Sequence, residues 1–238
     1  MSGAGGSART GALEAVLFDA GGTLIRLDYA LIAERARAWG AHLTPAALAR
    51  AEVVPRMQID RYARERGGIE GSDAARFSGY IEALLRAAGW DDPRTRALVG
   101  ELETLHDQEN LWRVPVDGAL ETLRGLRARG LRTAVVSNAD GRVQQLLEAA
   151  GLAPHIELVL DSRIEGVEKP DPAIFERALA RLGVSPARAA YVGDIYAIDA
   201  VGARSAGMAP VILDTTGAYE GLDCPTIARL EQLLDWFA

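Results

Sequence analysis

The feature that most constrains the fold is the regular alternation of short apolar runs with helical patterns in the second half of the chain. Four β-rich runs follow one another, at 132–136, 156–160, 189–192 and 210–213. Helical periodicity precedes each of them, over 117–129, 142–150, 173–182 and 197–206. Because neighbouring parallel strands need a crossover, usually a helix, this alternation is typical of a parallel sheet with helices on both faces. The sequence therefore predicts an α/β core with a Rossmann-like, doubly wound parallel sheet.

An earlier apolar run, residues 14–18, ends at Asp19 and a pair of glycines, and predicts a buried strand that stops in a sharp turn. Between 28 and 111 the pattern changes, since Ala, Leu and Arg recur at helical spacing and suggest four helices with no strand. We therefore predict an inserted all-α helical cap domain at 28–111. The core would comprise 12–27 and 112–238, after a disordered lead at 1–11.

The composition excludes several classes of protein. Lys and Arg number 26 against 33 Asp and Glu, and the net charge of −7 argues against nucleic acid, which is bound mainly by basic faces. The single cysteine, Cys224, favours a reducing compartment. No apolar run approaches the roughly 20 residues of a membrane span, and the first residues lack the apolar core of a secretory signal. We therefore expect a cytoplasmic protein with no membrane partner.

Polar residues gather directly after the predicted strands. They are Asp19, Gly21, Gly22 and Thr23 after the first strand, Ser137 and Asn138 after the second, Lys169 before a helix, and Asp194 and Asp199 after 189–192. In an open parallel sheet, ligands bind outside the carboxyl ends of the strands. We therefore expect these distant segments to meet in one pocket.

Four of these segments, in this order, resemble the haloacid dehalogenase superfamily of hydrolases. They are FDAGGTL at 18–24, VVSN at 135–138, EKPDPAIF at 168–175 and VGDIYAIDAVGA at 192–203. The helical insertion after the first segment is similar to the α-helical (C1-type) cap of that family. The resemblance favours its phosphatase-like branch and implies a small phosphorylated substrate, and the oligomeric state stays open.

The resemblance also implies a role for each matching residue. Asp19 would be the nucleophile and form an aspartyl-phosphate, and Lys169 would neutralise both the nucleophile and the phosphate. Ser137, Asn138 and Thr23 would bind the substrate. Mg²⁺ would be held by Asp19, Asp194 and the backbone carbonyl of Gly21, with Asp199 as a less direct ligand, because this ion prefers oxygen.

The sequence departs from the family at Gly21, where phosphatases of the superfamily usually carry a second Asp as general acid and base. Such a group typically contributes about 10²–10⁴-fold. Its loss restricts good turnover to activated leaving groups, such as acyl phosphates, anhydrides or aryl phosphates, unless His106, Asp107 or Glu109 of the cap supplies the proton.

Other interpretations of Gly21 belong to different classes. A regulatory protein could keep the phosphate and metal site with little turnover. A 2-haloacid dehalogenase also lacks the second Asp, but it needs no metal, so Asp194 and Asp199 argue against it. A phosphonatase would need a cap lysine, and residues 28–111 contain none.

Basic residues add two further predictions. Lys169 is the one lysine of the chain, which suggests a position that needs a compact ammonium group. The cap arginines Arg56, Arg61, Arg64 and Arg66 lie at helical spacing and predict a solvated face, with contact to an anionic substrate as the alternative.

Overall fold

The computed structural model describes residues 13–68 and 73–237, so the predicted lead at 1–11 lies outside the described residues. The strands are β1 (Ala15–Phe18), β2 (Ile25–Leu27), β3 (Trp112–Pro115), β4 (Arg132–Ser137), β5 (Leu158–Asp161), β6 (Ala189–Gly193), β7 (Ala209–Leu213) and β8 (Thr226–Ile227). The helices are α1 (Tyr29–Ala38), α2 (Pro45–Ala51), α3 (Val53–Arg66), α4 (Asp73–Ala87), α5 (Thr95–Glu109), α6 (Ala119–Ala128), α7 (Val143–Ala149), α8 (Ser162–Glu165), α9 (Pro172–Leu182) and α10 (Val201–Ser205). A π-helical turn (Tyr196–Ala200) precedes α10, and a 3₁₀ helix (Leu230–Phe237) ends the described chain.

Six strands form one parallel sheet in the order β5-β4-β1-β6-β7-β8. The central strand β1 pairs with β4 on one side and β6 on the other, and Phe18 aligns with Val135 and Val192. The chain first extends the sheet from β1 to β5 and then crosses to β6. This change of direction places a topological switch point at the carboxyl end of β1, where open α/β sheets bind ligands.

Both faces of β1 are buried, which explains its unbroken apolar sequence. Val16 and Phe18 pack in a cluster with residues of α6 and α7 on one face. Ala15 and Leu17 pack with residues of α9 on the other. Helices therefore cover the sheet on both sides, and the predicted fold class is confirmed.

Helices α1 to α5 form the predicted cap around their own apolar cluster, which includes Ile32, Leu84 and Leu98. Five helices are described between 28 and 111, so the expectation of four was wrong. The difference lies at Glu52, where α2 ends at Ala51 and α3 begins at Val53. No helix of the described residues is long and apolar enough to cross a membrane.

A short antiparallel ribbon of β2 and β3, which the sequence did not predict, joins the cap to the core. The chain enters the cap through β2 and leaves it through β3, so the two crossings lie side by side. Ribbon residues therefore lie next to the loop that follows β1, as the hydrogen bond from the Gly22 N–H to the Ile25 carbonyl shows.

Candidate active site

A cavity of about 220 Å³ lies at the carboxyl edge of the sheet, between the core and the cap. Six of the predicted site residues line it: Asp19, Gly21, Ser137, Asn138, Lys169 and Asp199. They arrive there because β1 ends before Asp19 and β4 ends at Ser137, side by side in the sheet. The predicted convergence of distant segments is therefore present in the structure.

Lys169 is the centre of this site. Its ammonium nitrogen lies 2.9 Å from Asp19 Oδ1 and 2.7 Å from Asp199 Oδ1, and it donates a 2.8 Å hydrogen bond to the hydroxyl of Tyr191. The side chain is almost fully buried. Burial disfavours the ammonium form, but the two carboxylates outweigh burial and raise the pKa of Lys169. Lys169 is therefore a permanent positive charge beside Asp19.

Two side chains hold Lys169 in place. The Asn138 amide accepts a 2.7 Å hydrogen bond from the backbone N–H of Lys169 and donates a 2.9 Å bond to its carbonyl. The Tyr191 hydroxyl also donates to the Val136 carbonyl, at 2.7 Å. Tyr191 was not among the predicted site residues. The available signal was a tyrosine inside a strand buried on both faces, because its hydroxyl needs a partner there.

Asp199 supports the site from the π-helical turn. Its Oδ2 accepts hydrogen bonds from the backbone N–H groups of Asp194 (3.0 Å) and Ile195 (2.9 Å), while Oδ1 contacts Lys169. One carboxylate thus fixes both the lysine and the loop that carries Asp194. This geometry gives Asp199 a positioning role.

Asp19, Asp194 and Asp199 form a buried cluster in which one oxygen of each lies within 4.8 Å of the others. Asp194 Oδ1 is buried without a hydrogen-bond partner, and Asp19 Oδ1 faces the ammonium group of Lys169 at 2.9 Å. Burial raises the pKa of Asp19 and of Asp194, and neighbouring cations only partly oppose it. Free carboxylate oxygens are the ligands that a hard divalent cation prefers, so the residues present fit a Mg²⁺ ion.

Gly22 has to be a glycine because of Asp194. A Cβ atom at Gly22 would lie 2.3 Å from Asp194 Oδ2, and its φ of +77° is the left-handed conformation that glycine tolerates best. The loop after β1 and the loop after β6 therefore touch, which brings Asp194 beside Asp19 although Asp194 does not line the cavity.

Arg56 of α3 contradicts the prediction of a solvated face. It is 6% exposed, and its guanidinium lies 3.2 Å from Asp194 Oδ2 and 3.6 Å from Glu52 Oε2. Glu52 in turn accepts a hydrogen bond from Tyr29. The cap thus places the positive charge of Arg56 next to the acidic cluster. Arg61, Arg64 and Arg66 are exposed, as expected.

Two predicted substrate-binding residues, Ser137 and Thr23, differ in their position relative to the cavity. Ser137 lines the cavity and contributes a hydrogen bond that lowers the pKa of Asp19, although burial of the carboxyl has the larger, opposite effect. Thr23 is fully buried, its hydroxyl has no hydrogen-bond partner, and it does not line the cavity.

Gly21 lies beneath the indole ring of Trp112. A Cβ atom at Gly21 would lie 3.5 Å from that ring, an ordinary contact distance, so a larger residue fits there if its side chain turns away from the indole. Trp112 belongs to β3, the second crossing between cap and core. The ribbon of β2 and β3 therefore occupies the space next to the position where the family carries its second Asp.

Of the three cap residues considered as proton donors, His106 alone lines the cavity. Its Nδ1 accepts a hydrogen bond from the Leu111 N–H (3.2 Å), so the hydrogen of the neutral ring is on Nε2. Burial, followed by the charge of Arg142, lowers the pKa of His106. Glu109 instead pairs with Arg113 at the surface. Of these three residues, the cavity therefore offers only His106, whose lowered pKa disfavours the protonated ring that would donate a proton.

Carboxylates and a lysine lie together at the switch point of the core, under a helical cap, where open α/β sheets bind their ligands. A family model described as haloacid dehalogenase-like hydrolase matches residues 13–207, and the chain belongs to this family. The resemblance found in the sequence is thereby confirmed.

Curated relatives share this assignment. The chain is 34% identical to "Haloacid dehalogenase-like hydrolase domain-containing protein 3" of Homo sapiens over 237 residues, 92% of each chain. The match to the Bos taurus protein of the same name is 43% identical over 129 residues, 54% of this chain and 51% of that one. This chain is also 29% identical to a ribulose-1,5-bisphosphate 5-phosphatase of Halopiger xanaduensis, and the match covers 93% of each chain.

Solved structures share the fold. A dehalogenase with an intermediate complex superimposes with a TM-score of 0.67 at 22% identity, covering 94% of this chain and 97% of that one. The hydrolase YfnB of Bacillus subtilis, bound to magnesium, has a TM-score of 0.67 at 19% identity, covering 95% and 99%.

Proposed function

We propose that this hydrolase is a Mg²⁺-dependent phosphohydrolase that acts on a small phosphorylated metabolite through an aspartyl-phosphate on Asp19. The observation that carries the proposal is the buried cluster of Asp19, Asp194 and Asp199 beside Lys169. Relatives named as phosphatases of sugar phosphates, such as the Halopiger enzyme, support it. A cytoplasmic location stays part of the proposal.

The residues of the chain divide the chemistry between them. Asp19 attacks phosphorus, the bond from phosphorus to the leaving oxygen breaks, and that oxygen departs with the electron pair. Water then attacks the phosphorus of the aspartyl-phosphate, which releases inorganic phosphate and restores the Asp19 carboxylate. Lys169 stabilises the charge of the transferring group in both steps, and the hydroxyl of Ser137 binds a phosphate oxygen.

Asp19, Asp194 and the carbonyl of Gly21 would hold Mg²⁺, and Asp199 would orient the loop of Asp194. When bound, the ion would neutralise phosphate charge next to Asp19. Asn138 acts through Lys169, whose backbone it fixes with two hydrogen bonds. Thr23 stays a prediction as a substrate-binding residue, because its buried hydroxyl would reach a substrate only after the loop rearranges.

The test is phosphate release from acyl, aryl, anhydride and sugar phosphates, with Mg²⁺ or with a chelator. We expect metal-dependent release that Asp19→Asn abolishes. The matched control is Asp214→Asn, because Asp214 is a buried carboxylate that directly follows β7 of the same sheet and does not line the cavity. Equal rates for Asp19→Asn and the wild type would refute the proposal.

A 2-haloacid dehalogenase is the second candidate, favoured by Gly21 and by the dehalogenase of the same fold. It predicts halide release from 2-haloacids without metal. A regulatory protein with little turnover predicts instead that phosphate and Mg²⁺ bind without hydrolysis of any member of the panel.

A further inference from the structure

The cavity has two chemically different parts. The polar end consists of Asp19, Ser137, Lys169 and Asp199 at the edge of the sheet. A second part of the lining, which we call the aromatic compartment, consists of Ile25, Phe77, Tyr80, Trp112, Val143 and Leu146. The reacting phosphate belongs at the polar end, so the rest of the substrate extends into the aromatic compartment.

The aromatic side chains of the compartment are held by one another. The rings of Tyr80 and Trp112 are 5.7 Å apart between centroids and tilted by 59°. Phe77 stacks on His106 at 3.8 Å with an angle of 17°. Trp112 also covers Gly21, two residues from the nucleophile. These contacts hold flat apolar surfaces next to the place where the leaving group must lie.

The polar groups at the margin of the compartment already have partners. Asn110 accepts from the Trp112 N–H (2.8 Å) and donates to Asp140 (3.3 Å), and Asp140 also pairs with Arg142. Because these groups satisfy one another, a polar leaving group would have to displace existing hydrogen bonds. An apolar one would not.

The arginines near the cavity are paired as well. Arg76 lies 3.1 Å from Glu168, and Arg56 lies between Glu52 and Asp194. A substrate with a second anionic group would compete with these carboxylates. The observed pairs therefore favour a leaving group without charge of its own in the compartment.

The glycine at position 21, where the family usually has its second Asp, points in the same direction. Lys169 uses its ammonium group on Asp19, Asp199 and Tyr191, and position 21 is Gly. A leaving oxygen that departs without a proton has to be weakly basic, as the oxygen of a phenol or a carboxylic acid is compared with that of an alcohol. In an aryl phosphate, the ring that fits the compartment also makes the leaving oxygen weakly basic.

Resting on the proposed function, we infer that the substrate is a monophosphate whose leaving group carries an aromatic ring, as in an aryl phosphate or an aromatic acyl phosphate. Trp112 is the specificity-determining residue, since its indole both lines the compartment and covers Gly21. In the transfer, the ring-bearing oxygen leaves with the electron pair and phosphorus passes to Asp19.

The test compares benzoyl phosphate with acetyl phosphate in Mg²⁺. Both are acyl phosphates with leaving carboxylates of similar acidity, so the comparison isolates the ring. Burial of a ring in place of a methyl group predicts a kcat/KM that is about 10-fold or more higher for benzoyl phosphate. Trp112→Leu should remove most of this ratio. Trp90→Leu, which removes a half-buried indole of the cap outside the cavity, should keep it.

A ratio near one in the wild type, or a ratio that survives Trp112→Leu, overturns the inference and leaves the phosphohydrolase proposal intact. If neither acyl phosphate nor any other phosphate of the panel is hydrolysed above the Asp19→Asn background, the proposed function fails instead, whereas release from sugar phosphates alone overturns the inference. Calorimetric binding of phenylphosphonate and methylphosphonate then decides, since equal affinity overturns the inference and tighter binding of phenylphosphonate supports it.

Discussion

The two ends of the cavity differ in the side chains that line them and in the contacts that hold those side chains. The core supplies the polar end, where buried charges such as Lys169 and Asp199 contact one another at 2.7 Å. The aromatic compartment takes Phe77 and Tyr80 from the cap and Trp112 from the ribbon of β2 and β3, beside Val143 and Leu146 of the core, and it depends on ring contacts. The ends of the strands fix the positions of the reacting groups. Cap residues that line the cavity can change without disturbing these groups. We therefore expect substitutions at the polar end to affect rate, and those in the aromatic compartment to affect substrate choice.

Arg56 is the exception to this division, because a cap residue reaches the acidic cluster of the core. Arg56→Met would leave the buried carboxylates of Glu52 and Asp194 without their cationic partner, so the free energy of unfolding should fall by about 3–5 kcal/mol. Urea denaturation measures this change. Mg²⁺ should restore part of the loss if Asp194 binds the ion, because a ligand of the native state stabilises it.

The control for Arg56→Met is Arg50→Met, which removes an exposed arginine from α2. It should change the free energy of unfolding by less than about 0.5 kcal/mol. If the two variants unfold alike, the contact between Arg56 and Asp194 does not join cap and core, and the division between the two ends is stricter than the structure indicates.

Lys169→Met tests the polar end directly. The variant removes the charge that lies 2.9 Å from Asp19 and 2.7 Å from Asp199, so kcat/KM for acetyl phosphate should fall by about 10²–10³-fold. The preference for benzoyl over acetyl phosphate should remain, because the aromatic compartment is intact. Lys169→Arg should not rescue the rate, since a planar guanidinium cannot replace a compact ammonium among three fixed oxygens. Full activity of the arginine variant would contradict this account.

The positions of Asp19 and Ser137 at the polar end could be predicted because each stands where a strand ends. The run at 132–136 corresponds to β4, Arg132–Ser137, and the run at 189–192 to β6, Ala189–Gly193. Once strands are placed in one parallel sheet, their carboxyl ends share an edge, and the residues after them must be neighbours. The predicted bounds of the cap, 28–111, lie next to the ribbon of β2 and β3, and they stay a prediction.

Contacts between the cap and the core could not be predicted in this way. Arg56 stands at helical spacing with exposed arginines, so the sequence pattern does not distinguish it from them. Arg56 is buried beside Asp194 of the core, and the sequence pattern does not contain the position of Asp194 in space. The ribbon of β2 and β3 pairs strands of three and four residues across the whole cap, without a turn between them. Such long-range pairing leaves no local signal.

Gly21→Asp tests the boundary between the two ends. It restores the acid at a position where a Cβ atom meets Trp112 at an ordinary 3.5 Å. Turnover of an alkyl ester such as glycerol phosphate should rise by about 10-fold or more, because its leaving oxygen needs a proton. Acetyl phosphate should respond little, since its leaving group needs none. The contrasting variant is Gly22→Ala, which should lose activity because the new Cβ would collide with Asp194. An unchanged rate on the alkyl ester would show that the cap wall, rather than the missing acid, limits turnover.

The smallest expected effect concerns His106, which stacks on Phe77 at the margin of the aromatic compartment. Burial, followed by Arg142, lowers the pKa of His106, against the opposing charges of Asp140, Asp107 and Glu103. The unfolded chain therefore takes up a proton near pH 6.5 that the folded chain resists. The stability that the neutral ring contributes is complete above this pH and is lost as the pH falls toward the lower folded pKa. Between pH 7.5 and pH 5.5, the urea midpoint of unfolding should fall less for His106→Gln than for the wild type. The exposed His42→Gln variant should follow the wild type, and an identical pH response of all three proteins would refute the effect.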